Sequence, residues 1–177
     1  NLIAVLLNLG RPADALGHCD SALAISPADA EMLYNRGVVL TQLGRHSEAM
    51  ESFDKILATQ SDHVNALFSR AGTLAGLRRY EEAIAGFDRL LTVAPRHAEA
   101  LTNRGTVLAQ LGRDADALAS FDRALAIAPD HANALTNRGI VLKKLLRHDE
   151  ALASFDRALV RSPDHVGAHL NRGNVLL

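Results

Sequence analysis

Four histidines recur at intervals of 34 residues, and imidazole side chains bind metal ions and transfer protons in many proteins. They are His63, His97, His131 and His165. A zinc ion holds its nitrogen ligands about 2 Å away, whereas helices packed side by side lie about 8 to 10 Å apart. Histidines on successive helical units therefore cannot share one ion. We expect them to be polar residues at the turns between units, and we predict no metal site.

Other catalytic chemistry is not indicated either. The sequence contains no Gly-rich phosphate loop, no nucleophile elbow and no His-Glu metal helix. The single cysteine, Cys19, stands where other units have Phe, so we expect a small core residue rather than a nucleophile. A lone cysteine cannot form an internal disulfide, which fits a reducing, cytoplasmic location. We predict that the chain is not an enzyme and has no cofactor.

Composition and charge exclude further classes of partner. The 177 residues include 19 Lys and Arg against 20 Asp and Glu, so no general attraction to phosphate backbones exists. Aromatic residues make up only 4% of the chain, which leaves few flat faces for stacking bases. The longest apolar stretch, residues 2–7, is far shorter than the roughly 20 residues of a membrane span. We predict no binding to nucleic acid or membrane.

The sequence repeats with a period of 34 residues. Windows 30–63, 64–97, 98–131 and 132–165 align without a gap, and partial units occupy residues 1–29 and 166–177. Such a period indicates a solenoid in which each unit packs on the next. We predict a single solenoid over residues 1–177. Because the first residue is Asn rather than Met, we expect a piece of a longer chain.

Each unit has the pattern of two helices joined by a turn. Apolar residues recur at spacings of three and four from Leu101 to Leu111, as on one face of a helix, and Gly112 ends that helix. A second apolar pattern predicts a helix over residues 114–127, which ends before Pro129. We expect Asp130 and Asp164 to cap the helices that follow them. Each unit is therefore predicted to be an antiparallel helix hairpin.

The repeated columns resemble those of tetratricopeptide repeats. Aligned positions carry small residues (Gly37, Ala71, Gly105, Gly139, Gly173), alanines (Ala15, Ala49, Ala83, Ala117, Ala151), phenylalanines (Phe53, Phe87, Phe121, Phe155) and prolines (Pro27, Pro95, Pro129, Pro163). Two turns depart from the family pattern because Arg78 and Leu146 replace the glycine between the helices. We expect those turns to be strained or differently closed.

This resemblance implies an all-α fold, a right-handed superhelical solenoid of stacked antiparallel hairpins with about five repeats and truncated ends. It also implies that the first helix of each hairpin lines a concave groove for a protein or an extended peptide. The groove residues predicted in this way are Tyr34, Asn35, Val38, Phe68, Ser69, Thr102, Asn103, Thr106, Thr136, Asn137, Lys143, Lys144 and Asn171.

Asparagine recurs at one position of the predicted groove: Asn1, Asn35, Asn103, Asn137 and Asn171, with Ser69 in the remaining unit. An Asn side chain both donates and accepts hydrogen bonds, so a ladder of them could hold a peptide main chain. The pattern resembles that in the tetratricopeptide repeat arm of O-linked N-acetylglucosamine transferases. The amino-acid sequence of the repeats is similar to that of bacterial relatives of this arm. The same Asn could instead bond a neighbouring helix and lock the stack.

Charge in the groove is sparse. A carboxylate clamp, as the family uses for acidic C-termini, would need lysines at positions where this chain has none. Only Lys143 and Lys144 could anchor an acidic peptide, at no more than about 1 kcal/mol if exposed. We therefore predict a small and mostly neutral groove lining.

Two charged columns run in step along the chain. Each Asp is expected to pair with the Arg of the following unit and so set the stacking register: Asp20 with Arg36, Asp54 with Arg70, Asp88 with Arg104, Asp122 with Arg138 and Asp156 with Arg172.

Three functional interpretations follow from the sequence. The first is a non-catalytic scaffold that presents its groove to a protein or peptide segment. The second is the substrate-selecting arm of a larger glycosyltransferase. The third is self-assembly, in which the uncovered apolar residues of 166–177 stack on the residue 2–9 helix of a neighbouring molecule.

Overall fold

A computed structural model describes residues 2–176 of the chain, and in that range the regular structure is entirely α-helical. The helices are α1 (Leu2–Asn8), α2 (Pro12–Ile25), α3 (Ala30–Gln42), α4 (His46–Thr59), α5 (Val64–Gly76), α6 (Tyr80–Val93), α7 (Ala98–Gln110), α8 (Asp114–Ile127), α9 (Ala132–Lys144), α10 (His148–Arg161) and α11 (Val166–Leu176). The helix predicted for residues 114–127 is confirmed as α8. The chain divides between Val93 and Ala94 into two compact units.

The N-terminal unit contains three helix hairpins, α1–α2, α3–α4 and α5–α6, and each helix packs on the next. Its core is built from Leu40, Phe53, Leu74 and Phe87, all of which are fully buried. The first helices α3 and α5 also contact each other. Because neighbouring hairpins share their apolar faces, no hairpin has a separate core.

The Gly and Phe columns meet inside the hairpins. A Cβ at Gly37 would overlap the ring of Phe53, so only glycine lets the two helices approach at this point. The first hairpin reverses the two sizes: Ile3 replaces the glycine, Cys19 replaces the Phe, and both lie in the same core cluster. Volume is therefore conserved across this contact, as expected for a close-packed core.

The third unit solves the same problem in another way. Ala71 stands at the glycine position, and on the facing helix Gly86 stands where the second, fourth and fifth units have serine. A Cβ at Gly86 would lie only 3.0 Å from the Ala71 Cβ. The extra methyl group on one helix is thus matched by a missing side chain on the other.

The C-terminal unit repeats the arrangement with the hairpins α7–α8 and α9–α10, followed by α11, which packs on both α9 and α10. Phe121 and Phe155 are fully buried against Gly105 and Gly139, where an added Cβ would again overlap the rings. The predicted class, all-α with stacked antiparallel hairpins, is confirmed in each unit. A single solenoid over the whole chain stays a prediction.

The turns inside the hairpins are closed alike whether or not they contain glycine. Gly44 and Gly112 have φ values of +72° and +74°, and Arg78 and Leu146 adopt φ of 59° at the same position. Arg79 N–H donates to the Leu74 carbonyl at 2.9 Å, as in the glycine turns. The left-handed conformation costs a residue with a side chain about 1 to 2 kcal/mol. The strained backbone expected at Arg78 and Leu146 is therefore present. The turns themselves are not closed differently from the glycine turns.

The first helices begin at side-chain caps that differ from the predicted ones. The cap of α9 is His131, whose Nδ1 accepts from the Ala134 N–H at 3.4 Å, and His165 Nδ1 accepts from the Ala168 N–H at 3.2 Å. The prediction of Asp130 and Asp164 as caps is wrong by one residue. A neutral imidazole nitrogen accepts a backbone N–H much as an Asp oxygen does at the same position of α3, Asp29.

The remaining histidines of that column, His63 and His97, cap α5 and α7 in the same way. Among residues 2–176 no three metal-binding side chains gather at one point. No described helix has the length and apolar character needed to cross a membrane.

Candidate functional site

The N-terminal unit has an apolar pocket between its first helices α3 and α5. We call it the N-terminal pocket, and its volume is about 300 Å³. The fully buried ring of Phe53 forms part of its wall, and the surface that it exposes is almost entirely apolar. It is lined by Val38, Thr41, Gln42, His46, Phe53, Ser69, Gly72, Thr73 and Gly76.

Two glycines of α5 create this space. No atom lies within 4 Å of where a Cβ would stand on Gly72 or Gly76, so neither glycine is required by a close contact. In α9 the corresponding residues are Ile140 and Lys144. Glycine inside a helix costs about 0.5 to 1 kcal/mol relative to alanine. At Gly72 the chain therefore gives up helix stability and gains an open pocket.

The hydroxyl groups of the pocket threonines are satisfied within their own helices. Thr41 Oγ1 donates to the Gly37 carbonyl at 2.9 Å, and Thr73 Oγ1 donates to the Ser69 carbonyl at 2.8 Å. These hydroxyls are engaged by the backbone, so they add little polarity to the pocket. A charged group placed there would lose its hydration without gaining a partner.

One lining residue of the pocket has a polar atom without a partner. His46 begins α4, and its Nδ1 is buried with no hydrogen-bond partner. A buried polar atom without a partner costs about 1 to 3 kcal/mol. Because this nitrogen has no exposed surface, the wall that the N-terminal pocket presents stays apolar.

The C-terminal unit has the same pocket in a reduced form, which we call the C-terminal pocket. Its volume is about 110 Å³, and it is lined by Thr106, Ala109, Gln110, Phe121, Asn137 and Ile140. Each of these residues lies 68 positions, or two repeats, after a residue of the N-terminal pocket. The Ile140 side chain projects from the position that Gly72 leaves empty, so apolar side-chain volume replaces open space.

The residues that correspond to His46 and Gly76 in the C-terminal unit do not line its pocket. The residue that corresponds to His46 is Asp114, and Lys144, which stands where α5 has Gly76, donates from Nζ to its Oδ1 at 3.0 Å. Among the lining residues, Ile140 is therefore the one that adds side-chain volume where α5 has a glycine.

Several predicted groove residues pack against other side chains of their own or the neighbouring repeat. The rings of Tyr34 and Phe53 lie 6.2 Å apart, and Ser69 Oγ donates to the Tyr34 hydroxyl at 3.4 Å. The ring of Phe68 makes an edge contact with Phe87 at 6.2 Å. All three groove residues, Tyr34, Ser69 and Phe68, are half-buried, so each has a packing role and still exposes some surface.

Two predicted groove residues offer almost no surface to a ligand. Thr102 and Thr136 are only 3% and 4% exposed, and Thr102 Oγ1 donates to the Ala98 carbonyl of its own helix. They stand at the repeat position that Tyr34 and Phe68 occupy in the N-terminal unit, and the smaller side chain is covered. In this column the exposed surface therefore belongs to Tyr34 and Phe68, and in the C-terminal unit to Leu170 of α11.

The asparagine column lies at the contact between successive first helices. Asn137 Nδ2 donates to Thr106 Oγ1 on the preceding first helix at 3.0 Å. Asn35 Nδ2 is buried without a partner, because the corresponding position of the preceding helix is Ala4. Asn103 is half-buried, and Asn1 lies outside the described residues. At Asn137 one amide donor is thus used for stacking.

The groove lysines are already engaged. Lys143 Nζ donates to Asn171 Oδ1 at 3.2 Å, and the Asn171 amide donates to the Gly167 carbonyl at 2.9 Å. Lys144 forms the ion pair with Asp114 described above. Each hydrogen bond uses one of the three N–H donors of an ammonium group, and the Asp114 carboxylate offsets the charge of Lys144.

Four of the predicted inter-repeat ion pairs are present. In each, the Arg Nε lies between 2.5 and 2.7 Å from the Asp Oδ1 of the preceding repeat: Asp20–Arg36, Asp54–Arg70, Asp122–Arg138 and Asp156–Arg172. The Asp88–Arg104 pair would join the two units and stays a prediction. The Asp side chains are more than half exposed in these pairs, so each pair sets geometry more than it adds stability.

The arginines of these pairs also reach back into their own hairpins. Arg36 Nη1 donates to Ser52 Oγ at 2.9 Å, and Arg138 Nη1 donates to Ser154 Oγ at 2.8 Å. Both serines are buried. The guanidinium group thus ties a first helix to its own second helix and to the preceding one.

A second set of ion pairs was not indicated by the sequence reading. Each second helix begins after an Arg that bonds the acidic residue three positions later, as Arg45 does with Glu48 at 2.6 Å. The Arg45 hydrogen bond lowers the pKa of Glu48, and Arg147 does the same for the pKa of Glu150. The signal was an Arg and an acid three residues apart in every repeat.

Cys19 is fully buried, and this burial raises the pKa of its thiol. A thiol that is both covered and harder to ionise is a poor nucleophile. Its position in the core thus agrees with the packing role expected from the sequence.

Comparisons with known proteins agree with this architecture. A family model described as tetratricopeptide repeat matches residues 2–64, 68–132 and 136–177. No curated protein sequence matches the chain. Among solved structures, PilF of Pseudomonas aeruginosa is similar with a TM-score of 0.88 and 23% identity, over 98% of this chain and 79% of that chain.

Two further structures are similar over nearly their whole lengths. A thermophilic tetratricopeptide repeat protein of Thermus thermophilus has 27% identity and a TM-score of 0.79, over 99% of this chain and 95% of that chain. YrrB, described as a tetratricopeptide repeat protein with an unusual peptide-binding site, has 24% identity and a TM-score of 0.75, over 97% of this chain and 88% of that chain. The family model covers almost the entire sequence, and the chain belongs to the tetratricopeptide repeat family.

Proposed function

We propose that this chain is a non-catalytic scaffold that binds an extended segment of another protein on the first-helix face, the surface formed by α3 and α5 in the N-terminal unit and by α7 and α9 in the C-terminal unit. The observation that carries the proposal is the N-terminal pocket, which opens between α3 and α5 and is apolar. The peptide-binding site named for YrrB, a structure of similar fold, supports the same class of ligand.

The chemistry of this face favours a neutral segment over a charged one. Its half-buried residues include Asn, Thr, Ser, Val, Tyr and Phe, while Lys143 and Lys144 are engaged with Asn171 and Asp114. Neutral hydrogen-bonding groups recognise a peptide main chain without regard to its side chains. Sequence preference would then come from the apolar pocket.

The asparagine column supplies the test of main-chain binding. A library of random nine-residue peptides displayed on phage is selected against the intact chain and against the triple variant Asn35→Ala, Asn103→Ala and Asn137→Ala. We expect enrichment of binding peptides with the intact chain and at least a tenfold weaker capture of those peptides by the triple variant.

A matched control carries Glu81→Ala and Asp149→Ala on the exposed surfaces of α6 and α10. This control should capture the selected peptides as well as the intact chain does. Thermal melting is measured for all three proteins, because Asn137 also bonds Thr106. Unchanged capture by the triple variant together with a lower melting temperature would assign the asparagines to stacking alone and contradict main-chain binding.

Self-association is a second candidate, favoured by the exposed apolar residues of the terminal helices. Leu170 and Leu176 of α11 are 63% and 60% exposed, and Leu2 and Leu9 near the other end are 55% and 65% exposed. Stacking α11 of one molecule against α1 of another would cover them. Light scattering at increasing concentration should show a rising mass, and a constant monomer mass would contradict stacking. The glycosyltransferase arm stays a prediction.

A further inference from the structure

One position of the first helices carries a side chain in every repeat except that of α5. The residues at this position are Ala4, Val38, Gly72, Thr106, Ile140 and Asn174. Four residues later, on the same face of the helix, the corresponding residues are Asn8, Gln42, Gly76, Gln110 and Lys144. Both glycines line the N-terminal pocket. The helix α5 therefore lacks two side chains at the point where the pocket opens.

The C-terminal unit shows which chemical group fits this space. Its pocket lies between equivalent helices and has Phe121 in its wall, as the N-terminal pocket has Phe53. Ile140 projects from the position of Gly72, and the pocket volume is about 110 Å³ instead of about 300 Å³. The chain itself thus places a branched aliphatic side chain beside the buried ring in one unit and none in the other.

We infer that the N-terminal pocket takes a leucine or isoleucine side chain of the bound segment, an inference that rests on the proposed peptide-binding function. The surface that the pocket exposes is almost entirely apolar, and the hydroxyls of Thr41 and Thr73 donate to carbonyls of their own helices. The free energy of binding then comes from removing apolar surface of both partners from water. Gly72 is the residue that determines this specificity, because it leaves room for the incoming side chain.

Other side chains fit this pocket less well. A charged or amide side chain would lose its hydration there without gaining a hydrogen-bond partner. An alanine side chain would leave most of the volume empty and forgo the contacts with the wall. An aromatic ring is flat and rigid, whereas the group that the chain places in the equivalent position, Ile140, is branched and aliphatic.

Small probes test both the chemistry and the location of the occupant. N-acetyl-leucinamide and N-acetyl-asparaginamide, whose side chains have nearly the same shape, are titrated into the ¹⁵N-labelled chain and followed by amide NMR spectra. We expect leucinamide to shift the amide signals of Gly72 and Gly76. It should bind at least tenfold more tightly than asparaginamide, because only the leucine side chain gains free energy on leaving water.

N-acetyl-phenylalaninamide is titrated in the same way and should bind more weakly than leucinamide. Three results would overturn the inference. They are shifts confined to residues outside the pocket, equal binding of leucinamide and asparaginamide, and tighter binding of phenylalaninamide than of leucinamide.

A variant of α5 tests the role of the missing side chain. Gly72→Ile copies the C-terminal unit and should weaken leucinamide binding at least tenfold while the chain stays folded, because the added Cβ meets no atom within 4 Å. Gly72→Ala, the smaller change, should weaken binding by a smaller factor. The matched control is Gly17→Ile in α2, an exposed glycine whose Cβ would also meet no atom within 4 Å. Unchanged binding in a folded Gly72→Ile variant would contradict the inference.

The reciprocal variant tests whether Ile140 is the internal counterpart of the occupant. Ile140→Gly should create a second leucinamide site, detected as new shifts in the amide signals of α9, and asparaginamide should not bind there. If α9 shows no new shifts, or if both amides bind equally, an aliphatic occupant of this space is contradicted.

The phage selection then distinguishes this inference from the proposed function. Peptides that are selected by the intact chain, are enriched in leucine or isoleucine and are lost with Gly72→Ile support both. Selected peptides without this enrichment overturn the inference and leave peptide binding intact. If no peptide is selected, the proposed function itself fails, and the inference fails with it.

Discussion

The N-terminal and C-terminal pockets are formed by equivalent helices of their repeats but differ almost threefold in volume, at about 300 and 110 Å³. A fully buried Phe stands in the wall of each, and both second walls, α5 and α9, end at a turn with a non-glycine residue at φ of 59°. The helix arrangement, the buried Phe and the turn therefore cannot explain the difference in pocket volume. Among the lining residues, Gly72 in the N-terminal unit corresponds to Ile140 in the C-terminal unit, so in a repeat protein the side chains at a few positions decide which unit has an open pocket.

The largest expected effect comes from the shared Phe. Phe53→Cys should lower the free energy of unfolding by about 3 kcal/mol, because it removes a fully buried ring. Phe121→Cys should lower the free energy of unfolding by a similar amount if the equivalent hairpins of the two units are packed alike. Urea unfolding curves of both variants measure this. If the losses of stability in the two variants differ by more than about 1 kcal/mol, the two hairpins are not equivalent in packing.

The first hairpin supplies a rescue for this variant. Ile3 and Cys19 already occupy the two positions with exchanged sizes. Adding Gly37→Ile to Phe53→Cys should therefore recover part of the lost stability, whereas Gly37→Ile alone should be destabilising because a Cβ there overlaps the ring. If the double variant is less stable than Phe53→Cys, the exchange of sizes in the first hairpin depends on other residues.

The second effect concerns the residues that set pocket volume. Ile140→Gly should lower the free energy of unfolding by about 1 to 2 kcal/mol, because the helix loses a better former and a side chain that is 38% exposed. The reciprocal Gly72→Ile should raise it by about 0.5 kcal/mol, since isoleucine is the better helix former and its Cβ would meet no atom within 4 Å. Thermal melting of the two variants shows whether each change raises or lowers the stability. A destabilising Gly72→Ile would show that the glycine is kept for packing.

The sequence predicted the hairpins, the Phe column and the direction of the Asp–Arg pairs, because each follows from spacing within a helix or from an offset of one repeat. It did not predict the caps. His131 and Asp130 are adjacent polar residues, and only the backbone position decides which of them accepts the Ala134 N–H. An Asp is the more frequent cap, so the general preference pointed to the wrong residue.

The pocket was harder to predict for a different reason. Glycine occurs in both the Gly37 and the Gly72 columns, but Phe53 fills the space at Gly37 and nothing fills it at Gly72. The sequence shows that a side chain is absent and not whether a neighbour occupies its place. The burial of Thr102 and Thr136 has the same cause, because it depends on how closely the next repeat packs.

The third effect concerns the turns. Arg78→Gly and Leu146→Gly should each raise the free energy of unfolding by about 0.5 to 1 kcal/mol, because they relieve the left-handed strain but give the unfolded chain more freedom. Leu146 is also 76% exposed, so little packing is lost. Thermal melting measures both variants, and neither change should alter the volume of the pocket in its unit. Gly112→Ala, the opposite change at the same position, should be destabilising in the same melting experiment.

The smallest expected effect comes from the ion pairs at the start of the second helices. Removing such a pair should have the same effect on stability in both units. The bond from Arg45 lowers the pKa of Glu48 below its ordinary value of 4.5, and the bond from Arg147 does so for Glu150. A lowered pKa in the folded state means that the stabilisation is present at neutral pH and is lost as the pH falls through that lowered pKa. Glu48→Gln and Glu150→Gln should each flatten the fall in melting temperature between pH 5 and pH 3 by a similar, small amount, because these pairs are solvent-exposed. Repeating the melts in 0.5 M NaCl should shrink the difference, since salt screens exposed charges. An effect confined to Glu48, whose helix begins with His46, would instead show that the open pocket and the start of α4 are coupled.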